Sequence, residues 1–304
     1  MTTGKKAITM ALIANITISV AKFVGFLVTG SSSMLAETVH SLADSGNQLL
    51  LIIGGKRSKR GASKTHQFGY GGERYFYSFI VALTIFLIGG IFAIYEGIAK
   101  VQHPHELHDP YVAIAILVVA IIMESFSLRT AVTESNLIRK MASWREFIRF
   151  SKTPELPVLL LEDLAAVLGL TFALFGVCAS YLTSNAIFDG LATLLIGLLL
   201  VAVAIILGIE MKSLLLGESV IGEEEVVIKN DITAFSEVVK IIHMRTLHLS
   251  PEEILLAVKI AVDPKLTMVE LSALINNIEK RIRRHNDKIT LIYIEPDILK
   301  KPRR

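Results

Sequence analysis

The sequence feature that decides the fold is residues 33–55, which read SMLAETVHSLADSGNQLLLIIGG. A helix that crosses the ~30 Å hydrocarbon core of a bilayer needs about 20 mostly apolar residues, and this stretch is long enough. At about 100° per residue, its polar side chains fall on one stripe about 100° wide. Because an unpaired polar group in lipid is costly, we expect the stripe to face the interior of a helical bundle. The stripe consists of Glu37, His40, Asp44, Asn47 and Gln48.

Five further apolar stretches have the length of a membrane span. They are residues 7–29, 75–99, 110–133, 157–182 and 186–214. Short connections at residues 30–32 and 183–185 pair the first span with the second, and the fifth with the sixth, as hairpins. The sequence therefore predicts a membrane α-helical protein with a six-helix transmembrane bundle.

Charged residues are distributed unevenly over the 304 residues. Residues 218–304 contain 14 acidic and 14 basic side chains, whereas the much longer segment 1–217 contains 14 acidic and 17 basic ones. The charge-poor part suits a lipid bilayer, and the charge-rich part suits water. We therefore expect a transmembrane domain at residues 1–217 and a soluble domain at residues 218–304.

The composition excludes several classes of function. A net charge of +3 is too small to indicate nucleic-acid binding, and no basic helix with interleaved aromatic residues is present. The single cysteine, Cys178, excludes a disulfide framework and a cysteine-based zinc site. The sequence has no Gly-rich phosphate loop, and its soluble part has no nucleophile–base pair. We expect no nucleic-acid partner, no organic cofactor and no enzymatic activity.

Basic residues cluster on one side of the predicted spans, whereas the opposite side carries only Lys100. By the positive-inside rule, the chain crosses the membrane six times with both termini in the cytoplasm. The expected location is a cell (inner) membrane, in contact with its lipid. The clustered residues are Lys5, Lys6, Lys56, Arg57, Lys59, Arg60, Lys64, Arg139, Lys140, Arg145, Arg149 and Lys152.

A pair of metal-ligating side chains lies on the polar stripe. His40 and Asp44 are four residues apart, which places an imidazole and a carboxylate one turn apart on the same helix face. Such a pair can form one side of a tetrahedral zinc site. Further ligands would come from Glu162 and Asp163 in the fifth span or from Glu124 in the fourth. Since adjacent helical residues diverge by about 100°, Glu162 and Asp163 cannot both face one ion in the same way.

Three segments together resemble the cation diffusion facilitator family over nearly the whole chain. Residues 32–44, SSMLAETVHSLAD, resemble the family's second-helix signature. Residues 189–197, DGLATLLIG, resemble the start of its sixth helix. Residues 212–218, KSLLLGE, resemble the exit toward its soluble domain. The chain is most similar to the zinc transporter 9-type branch. That resemblance rests on His40-Ser41, Asn47-Gln48, Glu124-Ser125 and Glu162-Asp163.

The resemblance implies a homodimeric metal-ion/proton antiporter with a ferredoxin-like cytoplasmic domain. Its metal ligands carry over to His40, Asp44 and Asp163. The family's zinc transporters have the fifth-helix motif His-x-x-x-Asp, but Leu159 stands here at the histidine position. The fourth ligand is left open among Glu162, Glu124, Glu37 and water, with a proton-relay role as an alternative for these carboxylates. Zn²⁺ is the expected substrate, and the oxygen-rich ligand set makes Mn²⁺ or Fe²⁺ the alternative.

Histidines outside the spans are weaker candidates. His66 matches a second family site, but Ser63 and Tyr70 replace its other ligands, so we expect no ion there. The segment 103–108, HPHELH, is interpreted as a solvated loop, with weak metal collection at a pore mouth as the alternative.

The soluble domain shows an αββαβ order of helix and strand patterns. Helical patterns cover residues 222–235 and 267–285, and strand patterns cover 238–248, 254–261 and 289–294. By resemblance, His243 and Glu295 match positions of a regulatory metal site, which would be weak because Tyr293 replaces a histidine.

The leading interpretation is a proton-coupled exporter of a divalent transition metal that works by alternating access. Metal binding requires a neutral imidazole and ionised carboxylates, so protons and metal compete for the same lone pairs. The alternative of another class is a membrane metal sensor or scaffold that binds ions without transporting them. The sensor or scaffold alternative is supported by Leu159, which stands where the family's transporters have a histidine ligand.

Overall fold

The computed structural model describes residues 2–104, 109–139 and 142–299, with side chains from residue 16 onward. The chain forms two compact units. The first comprises Met1–Arg57 and Glu73–Lys212, and the second comprises Ser58–Gly72 and Ser213–Arg304. The charge distribution divides the chain at residue 217. The units divide it between residues 212 and 213 and assign the loop 58–72 to the second unit.

The first unit is a bundle whose long helices coincide with the six predicted spans. Glu73–Gln102 is one long helix, in which the π-helical segment Ile85–Ile91 joins α3 to α4. Within the described residues, this helix, α5, α7 and α8 are long and apolar enough to cross a membrane. The helical membrane fold is thereby confirmed, with four helices that meet this criterion in the part of the chain that the structure describes. The helices are α1 (Thr2–Thr29), α2 (Ser32–Arg57), α3 (Glu73–Thr84), α4 (Phe92–Gln102), α5 (Pro110–Arg139), α6 (Trp144–Phe150), α7 (Glu155–Thr183) and α8 (Ile187–Leu216).

Glycines allow α8 to pack closely against α4. A Cβ atom at Gly97 would lie 2.7 Å from the backbone nitrogen of Leu194, and one at Gly197 would lie 2.7 Å from that of Ile94. Any side chain at either position would push the helices apart. Membrane helices commonly associate through such small residues, because van der Waals packing must replace the hydrophobic effect.

The sequence patterns do not predict the short helix α6. It begins with a capping box, in which Ser143 Oγ accepts from the backbone N–H of Glu146 and Glu146 Oε2 accepts from the N–H of Ser143. Phe147 is buried against Ala131 of α5 and Leu160 of α7. The helix is therefore anchored to the bundle by one aromatic side chain.

The second unit has the predicted αββαβ order. The strand order is β1-β2-β3, with β1 antiparallel to β2 and β2 parallel to β3. The helix between β2 and β3 supplies the long crossover that a parallel pair needs. Its Leu274, Ile278 and Ile282 pack into the core against the sheet. The elements are α9 (Glu223–Thr233), β1 (Val238–Ser250), β2 (Glu253–Val262), α10 (Met268–His285) and β3 (Ile289–Asp297).

Helix α10 also begins with a capping box. Glu270 Oε2 accepts from the backbone N–H of Thr267 at 2.8 Å, and Thr267 Oγ1 accepts from the N–H of Glu270 at 3.3 Å. The backbone hydrogen bond from Thr267, followed by the bond from its hydroxyl, lowers the pKa of Glu270.

Candidate metal centre

The start of α2, the helix with the polar stripe, is held by a carboxylate from α8. Asp189 is fully buried and accepts from Ser31 Oγ at 2.7 Å, from the Ser32 backbone N–H at 2.8 Å and from the Ser33 hydroxyl. A carboxylate at a helix N-terminus satisfies free N–H groups and interacts favourably with the helix dipole. The contact ties α2 to α8 and fixes the position of the stripe in the bundle.

His40 and Asp44 are adjacent on α2, as their spacing predicts. The distance from His40 Nδ1 to Asp44 Oδ1 is 3.5 Å, and only 2% of the histidine is exposed. Within the described part of the chain, His40 Nε2 and Asp44 Oδ1 have no hydrogen-bond partner. Burying such atoms unpaired is unfavourable, and both atom types are common metal ligands.

The two acidic residues of α7 contact different neighbouring helices. Glu162 Oε1 accepts a hydrogen bond from Asn47 Nδ2 of α2 at 2.6 Å. Asp163 Oδ2 accepts one from Ser127 Oγ of α5 at 2.8 Å. The divergence that their adjacency predicts is therefore present. Both partners are neutral, so each carboxylate is held in place without a paired positive charge from that contact.

A small polar cavity of about 10 Å³ lies where α2, α5 and α7 meet. This volume is close to the smallest that accommodates one water molecule. Among the side chains that the structure describes, no three His, Cys, Asp or Glu residues are close enough together to hold a metal ion. The residues therefore surround a space without forming a finished coordination shell. The cavity is lined by Ser41, Asp44, Gln48, Glu124, Glu162 and Asp163.

One buried charge beside this site is not among the residues that the sequence patterns single out. Lys22 of α1 is fully buried, with its Nζ 3.2 Å from Glu37 Oε2 and 2.6 Å from Ser41 Oγ. Glu37, a candidate ligand or proton relay, is thus paired with a lysine. The signal was available, because Lys22 is the single ionisable residue in residues 7–29.

The remaining candidates of the bundle and its loops are distributed as follows. Leu159, at the position of the family's histidine, is half-buried and offers no ligand atom. His66 stacks on Tyr70 with ring centroids 4.4 Å apart, and Ser63 Oγ lies 3.3 Å from the Tyr70 hydroxyl. In the segment 103–108, His103 is exposed, and the rest of its histidines lie outside the described residues.

In the second unit, a lysine separates the two candidates for a regulatory site. In the strand registers, His243 pairs with Lys259, and Lys259 pairs with Glu295. Lys259 Nζ lies 2.7 Å from Glu295 Oε1 and 3.1 Å from Asp297 Oδ2. The hydrogen bonds to Glu295 and then to Asp297 raise the pKa of Lys259. An ammonium group therefore occupies the position between His243 and Glu295.

Each of the two parts of the chain matches a known protein family. Residues 8–216 match the family described as cation efflux transmembrane domain, and residues 221–297 match the cation efflux protein cytoplasmic domain. The two matches follow one another along the chain in the order of the two predicted domains.

Curated relatives include proteins from animals, plants and bacteria. The chain is 34% identical over 205 residues to the human "Proton-coupled zinc antiporter SLC30A9, mitochondrial", covering 67% of this chain and 36% of the relative. It is 31% identical over 206 residues to "Metal tolerance protein C4" of Arabidopsis thaliana, covering 67% and 45%. It is 30% identical over 118 residues to "Zinc transporter ZitB" of Pectobacterium atrosepticum, covering 39% and 35%. The chain thus spans less than half the length of these relatives.

Proposed function

The chain belongs to the cation efflux family, and from this premise we propose that it is a proton-coupled antiporter that exports a divalent transition metal from the cytoplasm. Zn²⁺ is the leading substrate, in keeping with the names of the human and bacterial relatives. The observation that supports the proposal is the polar cavity, where four carboxylates from three helices meet beside His40. Ionisable residues inside a membrane bundle normally mark an ion or proton path.

The proposed transport step exchanges protons for metal at these side chains. Asp44, Asp163 and His40 are the proposed ligands, and Glu162 and Glu124 complete the shell or relay protons. Metal binds when the carboxylates are ionised and the imidazole is neutral, and protons from the other side displace the metal. Asn47 and Ser127 orient two of the carboxylates from α2 and α5. The bundle then exposes the site to alternate sides.

The cavity lining also favours a second cargo. It contains carboxylate, hydroxyl and amide oxygens but no nitrogen or sulfur ligand other than the adjacent imidazole. Oxygen-rich sites suit harder ions, which makes Mn²⁺ or Fe²⁺ the alternative substrate. Introducing the missing nitrogen ligand by Leu159→His should shift the preference toward Zn²⁺. Transport rates for Zn²⁺, Mn²⁺ and Fe²⁺ in the same vesicles measure that shift.

Proton flux in sealed proteoliposomes tests the proposal directly. Addition of Zn²⁺ to the wild-type protein under an imposed pH gradient should produce coupled metal and proton movement. Asp44→Ala should abolish both while the protein remains a folded dimer. The control is Glu134→Gln on α5, an exposed carboxylate away from the cavity, which should leave transport unchanged. Transport retained in Asp44→Ala would refute the site, and metal binding without flux would favour a sensor.

We further propose that residues 218–304 form the dimerising cytoplasmic domain and that both termini face the cytoplasm of a cell membrane. The charge asymmetry of the loops supports this orientation. A cysteine introduced at Arg60 in a Cys178→Ser background should react with a membrane-impermeant reagent only from the inside. Labelling from outside would reverse the orientation.

A further inference from the structure

A groove of about 840 Å³ lies between α6 and α8, away from the metal centre. We propose that it binds a phospholipid with an anionic headgroup, whose phosphate contacts Arg145 and Arg149. The groove has a polar end and an apolar wall. Its lining includes Arg145, Glu146, Arg149, Phe150, Ile206 and Glu210.

At the polar end, both carboxylates are engaged. Glu210 Oε2 lies 2.7 Å from Arg149 Nη1, and Glu146 Oε2 accepts from the backbone N–H of Ser143 at 2.8 Å. Arg145 is exposed and makes no hydrogen bond or ion pair with any residue that the structure describes. Arg149 pairs with Glu210 and is 46% exposed. A guanidinium carries five N–H donors, so Arg145 can offer several of them to one phosphate, beside the positive charge of Arg149.

The apolar wall continues from this polar end into the membrane. Ile206 lies one helical turn before Glu210 on α8, so the change from charge to hydrocarbon takes place within about 6 Å. Ile205 and Ile209 on the same helix are also exposed. This succession matches a glycerophospholipid, in which only the glycerol and its ester groups separate the phosphate from the acyl chains. Phe150 is exposed at the end of α6 and adds an aromatic ring to the lining of the groove.

The charge of the flanking sequence favours an anionic lipid. The groove itself is lined by two arginines and by two carboxylates that are already engaged, whereas the sequence segment 139–152 contains five basic residues and the single acidic residue Glu146. Basic pockets at the cytoplasmic ends of membrane helices attract anionic headgroups, with each Lys or Arg contributing about 1 kcal/mol near the surface, or roughly fivefold in affinity. Since Phe147 anchors α6 to α5 and α7, the arginines are presented from a fixed helix.

Lipid binding to the full-length protein tests this proposal independently of transport. The protein is reconstituted in nanodiscs of dioleoyl-phosphatidylcholine with increasing fractions of dioleoyl-phosphatidylglycerol, and the bound lipid is counted by native mass spectrometry after release. The wild type should retain phosphatidylglycerol preferentially. Arg145→Gln should reduce that preference about fivefold, the loss expected for one basic residue. Arg145→Lys should retain most of it, because the charge is kept.

Arg60→Gln is the matched control, because it removes one exposed arginine of the same predicted membrane side outside the groove. It should leave the preference unchanged. Equal losses in Arg145→Gln and Arg60→Gln, or equal retention of the two lipids by the wild type, would overturn the proposal. Displacement of the lipid by water-soluble glycerophosphoglycerol would also overturn it, since that result would indicate a site for the headgroup alone. A melting temperature measured for each variant ensures that only folded protein is compared.

Discussion

Replacing Lys22 by methionine should strongly destabilise the helical bundle. The substitution leaves the Glu37 carboxylate buried without the ammonium group that now lies 3.2 Å away. Both side chains are fully buried, and removing one partner of such a pair costs about 3–5 kcal/mol. Methionine has nearly the length of the lysine stem, so a cavity contributes little to this loss.

The double variant Lys22→Met/Glu37→Met separates charge from packing. With both charges removed, the desolvation penalty of the unpaired carboxylate disappears, and replacing a buried pair by apolar residues of similar size is often neutral or stabilising. We therefore expect the double variant to recover most of the stability lost by the single one. The control is Lys212→Met, an exposed lysine on α8, which should change stability by less than about 0.5 kcal/mol.

Equilibrium unfolding in mixed micelles, followed by circular dichroism, supplies the free energies for this double-mutant cycle. A single variant as stable as the wild type would refute the role of the ion pair, and so would a double variant no more stable than Lys22→Met. The cycle also bears on transport. A stable double variant that still exchanges metal for protons would show that Glu37 acts in folding and not as a ligand or relay.

Three further predictions concern other contacts. Asn47→Ala removes the hydrogen bond to Glu162 and should weaken metal binding about 10–100-fold in a binding titration, with folding retained; unchanged affinity would contradict the positioning role. Gly176→Ala places a Cβ atom 2.4 Å from that of Ala192 on α8 and should cost about 1–3 kcal/mol in the same unfolding assay. The pKa of Glu270 is lower in the folded state than its unfolded value of about 4.3, because the capping box favours the ionised carboxylate. The capping box therefore stabilises the folded state fully above the unfolded pKa. This stabilisation is lost as the pH falls through the folded pKa. The Tm of the wild type should therefore fall more between pH 5.5 and about pH 3.5 than that of Thr267→Ala; parallel profiles would exclude the effect.

The sequence predicts the long helices well, because a stretch of about 20 apolar residues has few alternatives to a membrane span. The same criterion misses α6, which has only seven residues and is held by the burial of Phe147. A tertiary contact of this kind leaves no periodic signal in a short segment. The boundaries of the αββαβ unit are recovered within a few residues, because its strands and α10 show clear alternation and helical periodicity.

The candidate site is only partly accessible to the same reasoning. The spacing of His40 and Asp44 places both on one helix face, and a single helix fixes that relation. Helical geometry also states that Glu162 and Asp163 diverge. Helical geometry does not show that a cavity lies between α2, α5 and α7. Both Glu162 and Asp163 line that cavity although they diverge. Lys22 is visible in the sequence as the single ionisable residue of residues 7–29, but helical geometry does not identify its partner Glu37, which lies on the other arm of a hairpin.

The partners of the buried carboxylates separate those that hold the bundle together from those available to an ion. Glu37 faces Lys22, Glu210 faces Arg149, and Asp189 accepts from the first turn of α2. Each of these groups has a fixed positive charge or a helix N-terminus as its partner. Glu162 and Asp163 accept instead from a neutral amide and a neutral hydroxyl. Such donors orient a carboxylate without neutralising it, whereas the other three carboxylates already have a positive partner. Under the proposed antiport, a proton and a metal ion would supply the missing positive charge at Glu162 and Asp163 in turn.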